Sequence, residues 1–334
     1  MTPRARKLSL LSFALIVIPI LCAGLWVQNF MTTPVAPSEP KVVEIKSGSS
    51  FTRVANRLEN AGIISDAVRF TWLARWRGAT AQVHAGEYLF ESVARPDEIL
   101  ARLVAGDIRR FQVTIPEGFN LREIAARLAE TGIGTTEDFL APCYDPGFIK
   151  ELAIKADSLE GYLFPETYTY TSSTTARQLL RAMVDQLNRR LSPAMLERAA
   201  ALDMNRHQLL TLASIIQKEA GNVMEMPLIS AVFHNRLKRG IALQADPTVI
   251  YGIADFDGNL TRKHLETPTP YNTYRKRGLP PGPIASPGLF ALRAAANPAE
   301  TKALYFVARG DGTHEFTATL KEHNRAVRRY QLRR

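Results

Sequence analysis

The sequence predicts an α+β protein with an N-terminal membrane-spanning helix, a small repeated strand–helix region and a larger mixed α/β domain. Three observations carry this reading. Residues 8–28 are free of charge and rich in Leu, Ile, Val, Phe and Ala. A strand–helix pattern starting at Val43 recurs at Val113, an offset of 70 residues. From about Ser158 the texture changes to amphipathic helices separated by loops of Tyr, Asn, Thr, Pro and Gly. The expected organisation is a terminus at 1–7, an anchor at 8–28, a linker at 29–40, the repeated region at 41–157 and the main domain at 158–334. A length of 334 residues suits two domains plus a tail. An apolar share of 46% and a charged share of 22% are those of a globular chain.

The run Leu8–Val27 would cover about 30 Å as a helix, the thickness of a bilayer's hydrocarbon core. Arg4, Arg6 and Lys7 precede it and no basic residue follows until Lys41. The positive-inside rule then leaves the N-terminus in the cytoplasm and puts the bulk of the chain outside. Trp26 falls where an interfacial aromatic would sit, and Pro19 is tolerable in a membrane helix. The competing reading is a cleaved secretory signal. Against it, the run continues through Leu25-Trp26-Val27 and no A-x-A site follows. Either reading exports residues 41–334.

The segment 32–40 is a short Pro-rich linker. After it, Val43, Ile45, Gly48, Val54, Leu58 and Gly62 correspond to Val113, Ile115, Gly118, Ile124, Leu128 and Gly132. Each copy alternates over a short strand, turns at glycine and continues at helical spacing. Gly62 and Gly132 fall where a left-handed residue would stop each helix. Between the copies, Asp66–Arg77 reads as a helix, Gly86–Phe90 as a strand, and Pro96–Val104 as a helix opened by proline. Units this small should pack together or against the next domain.

In the main domain, Glu160–Tyr168 reads as a polar and aromatic loop that Pro165 keeps from being helical. Thr174–Leu191 reads as an amphipathic scaffold helix. Over His207–Ala220, Leu212, Ile215, Ile216 and Glu219 follow one stripe of a helical net, so Glu219 continues an apolar face. A carboxyl there is costly as an anion, and its pKa should rise towards neutrality. That is what a general acid at a glycosidic bond requires. The alternative is that Glu219, close to Ala220-Gly221, simply reaches solvent. Pro227–Arg239 reads as a helix with Arg236, Lys238 and Arg239 serving its last turn and Gly240 ending it. Asp246 reads as an N-cap before Pro247, a structural duty that lowers its standing as a catalyst. Pro268–Tyr274 and Gly278–Pro283 read as loops, and aromatic and amide side chains on such loops suit sugar binding. The stretches 303–309 and 314–319 read as a hairpin, followed by a helix with a basic face.

The net charge of +10 suits an anionic membrane surface, an anionic polymer or nucleic acid. No zinc knuckle or RNP-like stretch accompanies it, and no nucleic-acid partner is expected. The two cysteines, Cys22 and Cys143, lie far apart, so neither a disulfide framework nor a zinc site is written. The reading needs no metal and no cofactor.

Several motifs, taken in order, resemble the endolytic murein transglycosylases of the MltG (YceG-like) family. They are Glu160-Gly-Tyr-Leu-Phe-Pro-Glu-Thr-Tyr, Ala213-Ser-Ile-Ile-Gln-Lys-Glu-Ala, Val232-Phe-His-Asn-Arg-Leu, Leu243-Gln-Ala-Asp-Pro-Thr-Val-Ile-Tyr-Gly, Tyr271-Asn-Thr-Tyr and Gly278-Leu-Pro-Pro-Gly-Pro-Ile. The resemblance implies a single membrane span, a LysM-like subdomain over the repeated region and a transglycosylase catalytic domain at 158–334. It implies cleavage of the β-1,4 bond between N-acetylmuramic acid and N-acetylglucosamine in nascent peptidoglycan, leaving 1,6-anhydro ends and terminating strands. It implies a location in the inner membrane with the catalytic domain periplasmic, and contact with peptidoglycan synthases. The second glutamate of the family's Glu-Lys-Glu motif is catalytic and matches Glu219, whereas Gln217 replaces the first.

On this reading one carboxyl acts as acid and then as base. Gln244, Thr248, Tyr251, Tyr271, Asn272, Tyr274 and Glu166 are the expected substrate-binding residues. Two rivals stay open: a lysozyme-like hydrolase with Glu166 or Asp246 as second carboxylate, and a non-catalytic peptidoglycan-binding scaffold.

Overall fold

The structure, a computed structural model, describes residues 17, 18, 21, 22, 24–35 and 37–332. Most of the expected anchor at 8–28 lies outside the described residues. Among those described, no helix is long and apolar enough to cross a membrane. The chain divides into two compact units, one of Met1–Phe111 with Tyr170–Ser173, the other of Gln112–Thr169 with Thr174–Arg334.

In the first unit, residues 24–32 are helical. Strand β1 (Lys41–Ile45) pairs antiparallel with β2 (Gly86–Phe90), Val43 opposite Tyr88. Alternation works as expected in β1: Val43 and Ile45 are buried and Glu44 is exposed. Helix α1 (Phe51–Asn60) buries Phe51, Val54, Ala55 and Leu58, an i, i+3, i+4, i+7 face. Gly62 stops it at φ +71°, with Ile63 N–H donating to Leu58 and Gly62 N–H to Glu59, a Schellman closure. Helix α2 (Ala67–Trp76), capped by Asp66, and α3 (Pro96–Ala105) complete the core around Phe70, Leu73, Tyr88, Phe90, Ile99 and Leu103.

The second unit begins with the second copy of the repeat, β3 (Phe111–Thr114) and α4 (Leu121–Ala129), with Gly132 at φ +75°. The division into compact units falls at Phe111/Gln112, so most of the second copy of the repeat lies in the second unit and the first copy in the first. The reason is strand pairing. β1 finds β2, while β3 finds β4 (Thr167–Tyr170), part of which had read as loop. Helices α5 (Thr136–Leu140) and α6 (Pro146–Glu151) follow α4. The scaffold helix is α7 (Ala176–Arg190), followed by α8 (Pro193–Ala201).

Helix α9 (Arg206–Glu219) is the axis of this unit. Every residue from Leu209 to Ile216 is buried, so the helix is enclosed on all sides and not on one stripe alone. Helix α10 (Met226–Lys238) and α13 (Leu289–Ala296) pack on it. Short helices α11 (Asp246–Tyr251) and α12 (Arg262–Glu266) lie between them in sequence. The expected hairpin is present as β5 (Tyr305–Ala308) and β6 (His314–Thr317), Phe306 opposite Phe316, and α14 (Leu320–Tyr330) follows.

Candidate active site

Helix α9 places Glu219 as its last residue, where the buried axis runs out into a cavity of about 540 Å³. Gln244, Asp246 and Tyr274 line it from the loops, Arg236 from α10, and Tyr305, His314 and His323 from the C-terminal hairpin and helix. Burial is the main cause that pushes the Glu219 carboxyl up to about 8. The charge of Asp246 adds to the rise and Arg236 opposes it. The carbonyl end of α9 also disfavours an anion at this position. Among the described residues, no protein hydrogen bond holds the Glu219 side chain, so both oxygens remain for a ligand.

Asp246 is not an N-cap. Ala245 occupies that position, and the Asp246 carboxylate accepts the Tyr274 hydroxyl at 2.6 Å. The residue was expected to spend its side chain on its own helix, yet it faces the cavity as a second carboxylate. Its placement is built from below. Ala245 N–H donates to Thr273 Oγ1 at 3.0 Å, and the Thr248 hydroxyl bridges Ala245 O and Thr273 Oγ1. The Asn272 amide nitrogen faces the carbonyls of His264, Leu265 and Thr267, while its oxygen accepts Tyr274 N–H at 2.9 Å. Thr248 and Asn272 are fully buried. They hold Asp246 and Tyr274 from behind and are not among the residues that line the cavity.

Arg236 was read as a cation serving a helix end. Instead it is buried, and its guanidinium donates to the carbonyls of Leu304, Ala242 and Leu243 and to Gln244 Oε1. One side chain thereby ties the start of β5 to the turn that carries Gln244, whose φ of +52° is left-handed. His314 is held by Glu225, which accepts both its backbone N–H and Nδ1. His323 stacks on Tyr305 at 5.1 Å, and burial lowers its pKa, with Arg236 adding to the effect. Sequence reasoning did not assign Arg236, Tyr305, His314 or His323 to the cavity, because contacts between distant segments bring them there: Arg236 to Leu304, His314 to Glu225 and His323 to Tyr305.

Tyr251 and Tyr271 belong elsewhere. The Tyr251 hydroxyl donates to Glu160 Oε2 at 2.9 Å, and its ring meets that of Tyr271 at 4.8 Å. Glu160 and Tyr271 line a separate cavity of about 600 Å³ with His207 and Pro281. Burial pushes the Glu160 carboxyl up to about 7, but it is only 4% exposed, with one oxygen enclosed and unpartnered. Its other oxygen is taken by the Leu121 N–H and the Tyr251 hydroxyl, whereas among the described residues no protein hydrogen bond holds the Glu219 carboxyl. Glu166 is paired with Arg190 and Gln186, its pKa held down first by the Arg190 hydrogen bond, and it does not line the Glu219 cavity. Gln217 is occupied structurally: its Oε1 accepts Gly288 N–H at 3.0 Å.

The profile of the YceG-like family matches residues 43–329. The chain belongs to the YceG-like family. Among its relatives, a Bacillus subtilis protein named endolytic murein transglycosylase is 35% identical over 304 residues, spanning 86% of this chain and 84% of that protein. A Streptococcus pneumoniae protein of the same name is 30% identical over 317 residues, spanning 85% of this chain and 57% of the longer relative. A crystal structure of a YceG-like protein from Listeria monocytogenes superimposes with a TM-score of 0.60 at 34% identity. It covers 86% of this chain and 98% of that one.

Proposed function

We propose that this YceG-like chain is an endolytic murein transglycosylase, a lytic enzyme that cleaves peptidoglycan glycan strands, and that Glu219 carries the chemistry. The observation behind the assignment is a carboxyl at the end of a buried helix, raised to about 8 and free of protein hydrogen bonds, facing an open cavity. Protonated in the free enzyme, Glu219 donates its proton to the glycosidic oxygen as the bond to muramic-acid C1 breaks. The resulting carboxylate takes the proton of the C6 hydroxyl, which attacks C1 and closes the 1,6-anhydro ring. One group serves both steps and no water enters the balance. Gln244, Tyr274 and Tyr305 offer amide, hydroxyl and ring surface to the sugars from the cavity wall.

Asp246 favours a second reading, a hydrolase with two carboxylates in one cavity. Mass spectrometry of the digested glycan ends separates the two: anhydro-muramic ends support the transglycosylase, and reducing muramic acid overturns it. The wider setting of the reading is a chain anchored by Leu8–Val27, with its N-terminus cytoplasmic and residues 41–334 outside the inner membrane. There the repeated strand–helix elements engage N-acetylglucosamine-containing strands near the synthases that extend them. The charge asymmetry about the run supports that orientation. Protease protection of the two ends in sealed vesicles tests it.

A further inference from the structure

Helix α2 presents to solvent a row of large apolar side chains that the first unit does not use. Its inner face, Phe70, Leu73 and Ala74, is fully buried. On the other side Val68 is 64% exposed, Trp72 57% and Trp76 71%. They stand at i, i+4 and i+8, so they form one continuous ridge along the helix. A contiguous exposed apolar surface of this kind marks a place of interaction.

The company the ridge keeps says what it meets. The helix Ala67–Trp76 contains no acidic residue. Arg75 and Arg77 hold their guanidinium groups 5.8 and 5.3 Å from the rings of Trp72 and Trp76. Arg69, on the same side, stands 4.0 Å from the ring of Trp26 and 5.9 Å from that of Phe30. Trp26 lies at the end of the uncharged run Leu8–Val27. The ridge is thus fastened, through Arg69, beside the point where that run ends. Asp66, the N-cap, pairs with Arg69 at 3.2 Å, and no carboxylate follows it on the helix, so the two exposed indoles stand with Arg75 and Arg77 alone. Tryptophan with an apolar body and a polar N–H, set beside arginines, matches the headgroup layer of a bilayer containing anionic lipid. A glycan-stacking role would use the same indoles, but neither the arginines nor the contact with Trp26 would serve it.

We propose that the Val68–Trp72–Trp76 ridge is a membrane-docking face, lying in the headgroup layer of an anionic bilayer next to the anchor. The proposal rests on the anchor reading above. Its consequence is that the first unit is held against the membrane surface at two places, the anchor and α2.

The chain has three tryptophans, Trp26, Trp72 and Trp76. The full chain carrying Trp26→Phe therefore reports only on the ridge. It is reconstituted into vesicles of phosphatidylcholine and phosphatidylglycerol, with acyl chains brominated near the headgroup or unbrominated, and floated on a density gradient. The expected result is flotation with blue-shifted emission, and a loss of emission in the brominated vesicles. Flotation with unquenched emission overturns the docking face while leaving the anchor standing. Failure to float removes the anchor reading and this proposal with it. Emission that ignores the bromine but responds to N-acetylglucosamine oligomers assigns the ridge to glycan and overturns the proposal.

Discussion

Glu219→Gln separates catalysis from stability, because burial gives this carboxyl a cost and the proposed mechanism gives it a task. Burial raises its pKa from 4.5 to about 8, so between those values the folded protein holds a proton that the unfolded chain has released. The unfolded state then binds fewer protons, and stability falls as pH rises across that window. Every tenfold change in proton affinity corresponds to about 1.4 kcal/mol, which accumulates to about 3 kcal/mol by pH 7 for a fully enclosed group. The carboxyl opens onto a cavity that water can enter. On the order of 2 kcal/mol is therefore the figure to expect. A neutral amide of the same shape avoids this cost. The variant should unfold about 4–8 °C above the wild type at pH 7. At pH 4.5 the two should melt together. Glycan cleavage should fall by about a thousandfold, the contribution of a general acid–base group in the middle of its range. Paired thermal unfolding scans and strand-cleavage assays on purified protein measure both. Equal melting temperatures at the two pH values, or a variant less stable at pH 7, would refute the buried-acid reasoning.

Three further outcomes follow from the same geometry. Asp246→Asn removes the charge that helps raise Glu219 while keeping an acceptor for the Tyr274 hydroxyl, so the alkaline limb of the pH–rate profile should move to lower pH; an unmoved limb would show the two carboxyls to be uncoupled. Gln217→Glu replaces one acceptor of the Gly288 N–H by another, and both melting temperature and cleavage rate should stay close to those of the wild type; a large change in either would contradict the purely structural role. Gly161→Ala puts a methyl group 2.3 Å from the Pro283 ring at φ +76°, and urea unfolding should report a loss of about 3 kcal/mol; a loss under about 1 would mean that this contact yields freely.

Much of the fold and the burial of Glu219 were legible in the sequence because they depend on short-range periodicity. The two-residue alternation of β1, the helical spacing of α1 and the glycines at 62 and 132 each state their structure within about ten residues. Glu219 was reached the same way, as the continuation of Leu212, Ile215 and Ile216, although α9 proves to be buried all round. The net placed Glu219 on a buried stripe, and a helix enclosed on every side also encloses that stripe. What lies behind the site was not legible. Asp246 had a local capping role available and takes a partner 28 residues away, Tyr274. Arg236 had a helix end to serve and instead reaches Leu304, 68 residues on.

Two strand–helix copies of matching pattern went to different units because β1 and β3 pair with different strands, and no spacing within a copy encodes its pairing partner. Sequence alone therefore determined the strand of β1, the helix of α1, the glycine turns at 62 and 132 and the apolar stripe that carries Glu219, all of them properties of a few neighbours on one backbone. Only the tertiary structure decided which carboxylate faces that acid and which side chains stand behind the cavity. Those depend on hydrogen bonds between segments far apart in the chain, and they exist only once the core around α9 has brought the segments together.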